Sequence, residues 1–308
     1  MLRKLPPLEA TEAFLIAARS VSFRDAARQL ALSPSALSRR IQLLEDFLGV
    51  GLFDRSARGV RLTVAGSDFL IAIEPALETL RWASENVRRW GGPLRVAASQ
   101  SITVGWLMPR LSALQTRHGV TVEIVHGDPV RMVRAARADI GIVGGDVPPE
   151  GLTSTVLLDL EAVVVSSRRL MDGRAPPRCP TELGGYPALE IKTSPAVWSN
   201  WLAQARCSGV RLNPVASFDT LQVMYEAAAG GFGLAPAIPL ASERLLDGQR
   251  LTPCFPGRHR IGYQYRSIAL PARRASHDHF ETFAGWLKHE VAASQSRFTQ
   301  LTDLTESR

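Results

Sequence analysis

Residues 22–66 read SFRDAARQLALSPSALSRRIQLLEDFLGVGLFDRSARGVRLTVAG, and the fold of the N-terminal region follows from its punctuation. Ser22 opens a short helix, with Asp25 three residues on in capping-box position. The apolar residues Ala26, Ala27 and Leu30 end at the turn Ala31-Leu32. Ser33 then caps another helix, and Pro34 takes its first position, where a missing N–H costs nothing. Two helices joined by so tight a turn make a helix-turn-helix. In the second of them Leu37, Ile41, Leu44 and Leu48 follow helical spacing and must face a core. Ser35, Ser38, Arg39 and Gln42 occupy the other side. Short hydrogen-bonding groups and arginine suit the major groove of DNA, where they reach base edges and phosphates; taken by itself, that face could equally be a solvated one. Two strand-like pieces follow, 52–55 and 60–63, around Ser56-Ala57-Arg58-Gly59. Arg55, Arg58 and Arg61 sit on or beside the tip, where a basic wing can grip the flanking backbone or minor groove.

Outward from this stretch, residues 8–18 form a preceding helix and Thr63 starts a long one that reaches about Trp90. Phe69, Ile73, Ala76, Leu80, Ala83, Val87 and Trp90 repeat with spacings of four and three, the seam of a helix that pairs with a copy of itself. The other reading is a helix packed on its own domain. Pro75 should bend it, and Gly91-Gly92-Pro93 ends it. From Leu94 strands alternate with helices. Strands are expected at 94–98, 120–125, 139–143, 157–165, 188–191, 215–218 and 261–270, with helices at 101–117, 130–138, 196–207, 220–229 and 277–291. Such alternation means α/β layers with a mostly parallel sheet, in two lobes with a ligand cleft at the carboxyl ends of the strands. Residues after Phe298 are polar and should form a flexible tail.

The domains expected are therefore 1–62, an all-α winged helix-turn-helix; 63–91, a linker and dimerisation helix; 92–298, an α/β two-lobed domain; and the tail 299–308. Composition agrees with this division. A chain of 308 residues exceeds one ordinary core. The net charge of +7 suits a polyanionic partner, and residues 1–65 hold ten basic residues against six acidic ones. No run of 18 apolar residues suggests a membrane helix, and the start lacks a signal-peptide pattern, so a cytoplasmic protein without a membrane partner is expected. Cys179, Cys207 and Cys254 share no metal spacing and read as reduced thiols. An enzyme is disfavoured: no P-loop, no Gly-x-Ser-x-Gly and no dinucleotide fingerprint occurs, and the six histidines are scattered. Gly230-Gly231-Phe232-Gly233 reads as a helix end that permits close strand packing. A secreted solute-binding protein would share the two lobes but not the winged helix.

The order of motifs resembles the LysR-type transcriptional regulators: Ala26-Ala27, then Ser33-x-Ser35-Ala36-Leu37-Ser38-Arg39-x-Ile41, Leu44-Glu45-x-x-Leu48-Gly49, Leu52-Phe53-x-Arg55 and Leu62-Thr63-x-x-Gly66. Fainter matches continue through Leu94-Arg95-Val96, Leu107-Met108-Pro109, Asp139-Ile140-Gly141-Ile142 and 218–236, the last similar to the glycine-cleavage and β-lactamase regulator branch. The family usually has a Gly-x-x-Asp step before the third strand; here Arg137-Ala138-Asp139 lacks that glycine. The resemblance implies a periplasmic-binding-protein-like sensing domain, double-stranded DNA as partner, homodimers through the linker joined into tetramers, contact with RNA polymerase, and regulation by a bound effector rather than a cofactor. On it, DNA is contacted by Ser33, Pro34, Ser35, Ser38, Arg39, Gln42, Arg55, Arg58 and Arg61. Three junctions suit the effector: Ser99, Gln100, Ser101 and Thr103; Lys192 and Thr193, followed by Ser194-Pro195; and Phe218, Asp219 and Thr220. Hydroxyls at helix starts favour an anionic or amide-bearing ligand, although such residues also serve as plain helix caps.

Overall fold

The computed structural model describes residues 5–54, 61–88, 92–271 and 279–303. The chain divides into two compact units, Met1–Arg89 and Trp90–Arg308.

The first unit holds helices α1 (Leu8–Arg19), α2 (Phe23–Gln29), α3 (Pro34–Leu48) and α4 (Val64–Arg88). The caps read from sequence are made. Ser22 Oγ accepts from Asp25 N, and Ser33 Oγ accepts from Ala36 N with Pro34 in the first turn of α3. Gly49 ends α3 in the left-handed region at φ 71°, which a glycine adopts without strain. Ala13, Phe14, Ala26, Leu37, Ile41 and Leu44 form the core, with the Phe53 ring tilted against Phe14 and edge-on to Phe23. The base of the hairpin pairs Phe53 with Leu62, while its tip, including Arg55, Arg58 and Gly59, lies outside the described residues.

Helix α4 carries Pro75 inside it, as expected. The predicted seam divides, however. Phe69 and Ile73 pack against the unit's own core, Phe69 with its ring 5.3 Å from that of Phe14. Ala76 and Leu80 stay exposed, and so do Ile71 and Ala72 on the adjoining face. A heptad seam is a pattern of apolar positions and does not say which surface covers each one. The side chains of Ala83 and Val87, and all of Trp90, lie outside what is described.

The second unit runs β1 (Leu94–Ala98), α5 (Gln100–Ile102), a π turn (Thr103–Leu107), α6 (Met108–His118), β2 (Val122–Val125), α7 (Pro129–Arg134), β3 (Ile140–Gly145), β4 (Thr153–Ser166), β5 (Pro187–Ile191), α8 (Val197–Gln204), β6 (Asn213–Phe218), α9 (Leu221–Ala229), β7 (Ala235–Ala237), α10 (Glu243–Asp247), β8 (Thr252–Pro253), β9 (His259–Ala269) and α11 (Phe280–Thr302). Its main sheet is mixed, not mostly parallel, in the order β2-β1-β3-β9-β4-β7 with β8 also on β4. β1 pairs in parallel with β2 and β3, whereas β9 is antiparallel to β3 and β4. Strands β4 and β9 serve both lobes. Their shared ladder is broken by shifts at Val156/Leu158 and Asp159/Glu161, beyond which β4 turns to pair with β7 and β8. The parallel pair β5–β6 completes the second lobe, and Gly233 lies so close to it that a Cβ there would stand 2.7 Å from the Pro187 carbonyl oxygen.

Two smaller differences have local causes. Ala136, with φ 55°, occupies the left-handed position three residues before Asp139 where the family's step has glycine, so the bend is kept without it. Helix α11 continues through the start of the expected flexible tail, because Phe298 and Thr302 are buried and Thr302 Oγ1 bonds the Phe298 carbonyl. Residues 304–308 lie outside the described set.

Candidate functional site

Two surfaces carry candidate chemistry, one in each unit. In the first, Ser35, Ser38 and Arg39 are exposed on one side of α3, opposite the buried Leu37, Ile41 and Leu44. Gln42 is half-buried and donates to Asp46 at 2.7 Å, so it reaches outward only after releasing that carboxylate. Ser33 is exposed, its oxygen engaged in the cap and in a 3.0 Å contact with Ser35 Oγ, and Pro34 is exposed beside it. Glu45, absent from the predicted residues, is buried and accepts from Leu52 N at 2.7 Å and Phe53 N at 3.2 Å. It fastens the first hairpin strand to the helix that bears the polar face. Arg61 is exposed on the second strand, where its carbonyl accepts from Asp54 N.

In the second unit a cavity of about 300 Å³ opens between the lobes. Leu160, Ile261 and Tyr263, where β4 and β9 cross from one lobe to the other, line it. Ser99, Gln100 and Ser101 after β1 and Asp128 to Val130 after β2 face Thr193, Ser194, Asp219, Thr220 and Leu221 of the second lobe. Sequence reasoning therefore brought Ser99, Gln100, Ser101, Thr193, Asp219 and Thr220 to one place.

Three predicted residues are not there. Thr103 is buried in the π turn and its hydroxyl turns back to the Ala98 carbonyl at 3.4 Å, a backbone bond open to a helical threonine. Lys192 is exposed, its ammonium 3.1 Å from Asp219. Phe218 packs against the hydrophobic core. Ser101 lines the cavity but is engaged: its Oγ accepts from Gln222 N at 3.0 Å, a direct bond from the first lobe to the start of α9 in the second.

The lining is mainly apolar, including Val130, Ile142, Ile191, Val197 and Ile238, and among the described residues it contains no Lys, Arg or His. Tyr265 was missed altogether. It is 4% exposed, it lines the cavity, and its hydroxyl is buried with no hydrogen-bond partner in the protein. Burial, and then the neighbouring Tyr225, push its pKa far above that of an ordinary phenol, so it remains a donor at any physiological pH. Tyr225 is satisfied, donating to Pro236 O and accepting from Ile238 N. No cluster of His, Cys, Asp and Glu suited to a metal occurs among the described residues.

Two family profiles match: the bacterial regulatory helix-turn-helix of the LysR family over residues 8–67, and the LysR substrate binding domain over residues 88–292. The chain belongs to the LysR family of transcriptional regulators. Among its relatives, the glycine cleavage system transcriptional activator of Escherichia coli K12 is 28% identical over 301 residues, covering 97% of this chain and 98% of the activator. The regulator DsdC of the same strain is 30% identical, covering 92% of this chain and 94% of DsdC. The effector domain of AmpR from Pseudomonas aeruginosa superposes with a TM-score of 0.57 at 24% identity, over 67% of this chain and 98% of that domain. As a LysR-type regulator the protein joins a DNA-binding winged helix to a small-molecule-sensing domain and is not an enzyme. LysR-type regulators bind DNA and effectors and form oligomers. No described helix is long and apolar enough to cross a membrane.

Proposed function

We propose that Ser35, Ser38 and Arg39 read base edges in the major groove, with Ser33, Pro34 and Gln42 at the groove's edge and Arg55, Arg58 and Arg61 holding the flanking backbone. The observation that supports this most directly is the exposed Ser35–Ser38–Arg39 face opposite a fully buried apolar one. An operator selected from a random-sequence pool with the full-length protein provides the test. Arg39→Ala should weaken that operator by about 1–3 kcal/mol, roughly 5- to 150-fold, and random DNA far less. Equal loss on both would remove Arg39 from the base-reading set.

The effector site in this reading is the cavity between the lobes, contacted through Ser99, Gln100, Thr193, Asp219 and Thr220, with Ser101 joining the lobes. The acting species is a cytoplasmic homodimer paired through α4, joined into a tetramer and contacting RNA polymerase at the promoter. Support for the α4 contact comes from the face that its own unit leaves uncovered, with Ile71 73% and Leu80 45% exposed. Leu80→Asp should therefore shift the protein toward monomer in sedimentation velocity and abolish cooperative operator binding. An oligomer of undiminished size would place the contact elsewhere.

A further inference from the structure

We infer that the effector is a small zwitterion, an α-amino acid with an apolar side chain, whose ammonium meets Asp128 on one lobe and whose carboxylate meets Tyr265 of β9 together with the helix starts of the other lobe. The inference rests on the reading of the cavity as the effector site and narrows it to a class of molecule.

Charge disfavours the simpler ligands. The wall contains two carboxylates, Asp128 and Asp219. Asp219 is matched by Lys192 at 3.1 Å. Asp128, which is exposed and caps α7, has one oxygen accepting from Arg131 N, and among the described residues no cationic side chain lies within ion-pair distance of it. A plain anion would thus enter a cavity with no cation in its lining and with a carboxylate that no side-chain cation offsets. A plain amine would satisfy Asp128 and leave the Tyr265 hydroxyl without an acceptor, a costly state for a buried donor. A molecule with both charges answers both groups.

The geometry also gives each end a place. Helix α9 begins on the second-lobe wall at Thr220-Leu221 and α8 at Val197, shortly after Thr193-Ser194, and their positive ends favour a carboxylate. Thr220 Oγ1 accepts from Val223 N, so its own proton is available to a ligand oxygen. Val130, Ile142, Leu160, Ile191, Ile238 and Ile261 surround the remaining space, which suits an apolar side chain. A ligand held at both ends favours closed lobes, in the same sense as the Ser101–Gln222 bond.

Thermal unfolding and calorimetry of the full-length protein test this with the common L-α-amino acids, their D enantiomers, the matching deaminated acids (isocaproate for leucine, hydrocinnamate for phenylalanine), the matching amines and succinate. At least one amino acid should raise Tm, while its deaminated and decarboxylated counterparts do not. Asp128→Asn keeps the cap of α7 and Tyr265→Phe removes only an unpaired hydroxyl, so neither should lower the stability of the ligand-free protein. Each should nevertheless weaken the amino acid by about tenfold or more. Stabilisation by no amino acid, or equally by an acid lacking the amine, overturns the zwitterion. If that acid's binding is still lost in Tyr265→Phe, the cavity remains the effector site. Binding that neither substitution alters places the ligand elsewhere and overturns the reading of the cavity as well.

Discussion

Asp139→Ala is expected to cost the C-terminal unit about 3–5 kcal/mol, the scale of breaking a buried ion pair from one side. Asp139 Oδ2 accepts from Arg95 N at 2.9 Å and from Nε at 3.1 Å, and Oδ1 accepts from Nη2 at 2.8 Å. Asp139 N returns a bond to the Arg95 carbonyl at 2.8 Å. The two side chains are 7% and 2% exposed, so alanine would take a two-pronged carboxylate acceptor from a buried guanidinium and the acceptor from the Arg95 N–H. The pair ties the beginnings of β1 and β3, the strands that lead to Ser99 and Gly144 in the cavity wall. Denaturant unfolding of the full-length protein, followed through Trp106, Trp198, Trp201 and Trp286, measures the loss. Replacing both partners with apolar residues, Arg95→Met with Asp139→Leu, should recover much of it, since the penalty lies in a buried charge that has lost its carboxylate. A cost below about 1 kcal/mol for Asp139→Ala would mean the pair is worth no more than a surface one.

Helix starts were legible in the sequence because capping is local: Ser22, Ser33 and Thr220 each accept from the N–H three residues on. The same locality gathered most of the cavity's polar wall, since in a two-lobed α/β domain the residues after the strands converge. It also let Asp128 go unnoticed, although Asp128 caps α7 after β2 in the same manner. What was not legible depends on distant partners. Phe69 and Leu80 fit one heptad pattern, yet one packs inward and the other stays exposed, because only the folded α1 decides which face of α4 is covered. Strand direction was misjudged because β9 returns to the sheet between β3 and β4 long after both have formed. Thr103 follows Ser101 in sequence, but the π turn directs its hydroxyl into the backbone. Tyr265 reads as a core residue in a strand; only the absence of a partner for its hydroxyl, a property of the folded neighbourhood, makes it a candidate for ligand contact.

Glu45→Ala should destabilise the N-terminal unit by about 3 kcal/mol or more, because hydrogen bonds to a charged acceptor contribute about 1.5–3 kcal/mol each. Two of them converge on one oxygen, from Leu52 N and Phe53 N, and alanine would leave both donors buried at the base of the hairpin. The functional consequence follows from what those two residues hold. Phe53 packs between Phe14 and Phe23, so the strand stays attached to the core, but its register against α3 loses its polar fixing. Arg61, on the strand paired with it, would then lose part of its fixed position relative to the Ser35–Ser38–Arg39 face. In the proposed DNA-binding mode, an arginine held in place neutralises a phosphate on every DNA sequence, and one held loosely does so less often. At a temperature where the variant remains folded, affinity for random duplex should therefore fall and its salt slope become shallower by about one unit for each phosphate no longer neutralised. The ratio of operator to random binding should change less, because Arg39 is untouched. Glu45→Gln keeps an oxygen at the same reach without the charge and should show roughly half the stability loss. Lost stability with an unchanged salt slope would separate the clamp from DNA binding and leave Glu45 a purely structural residue.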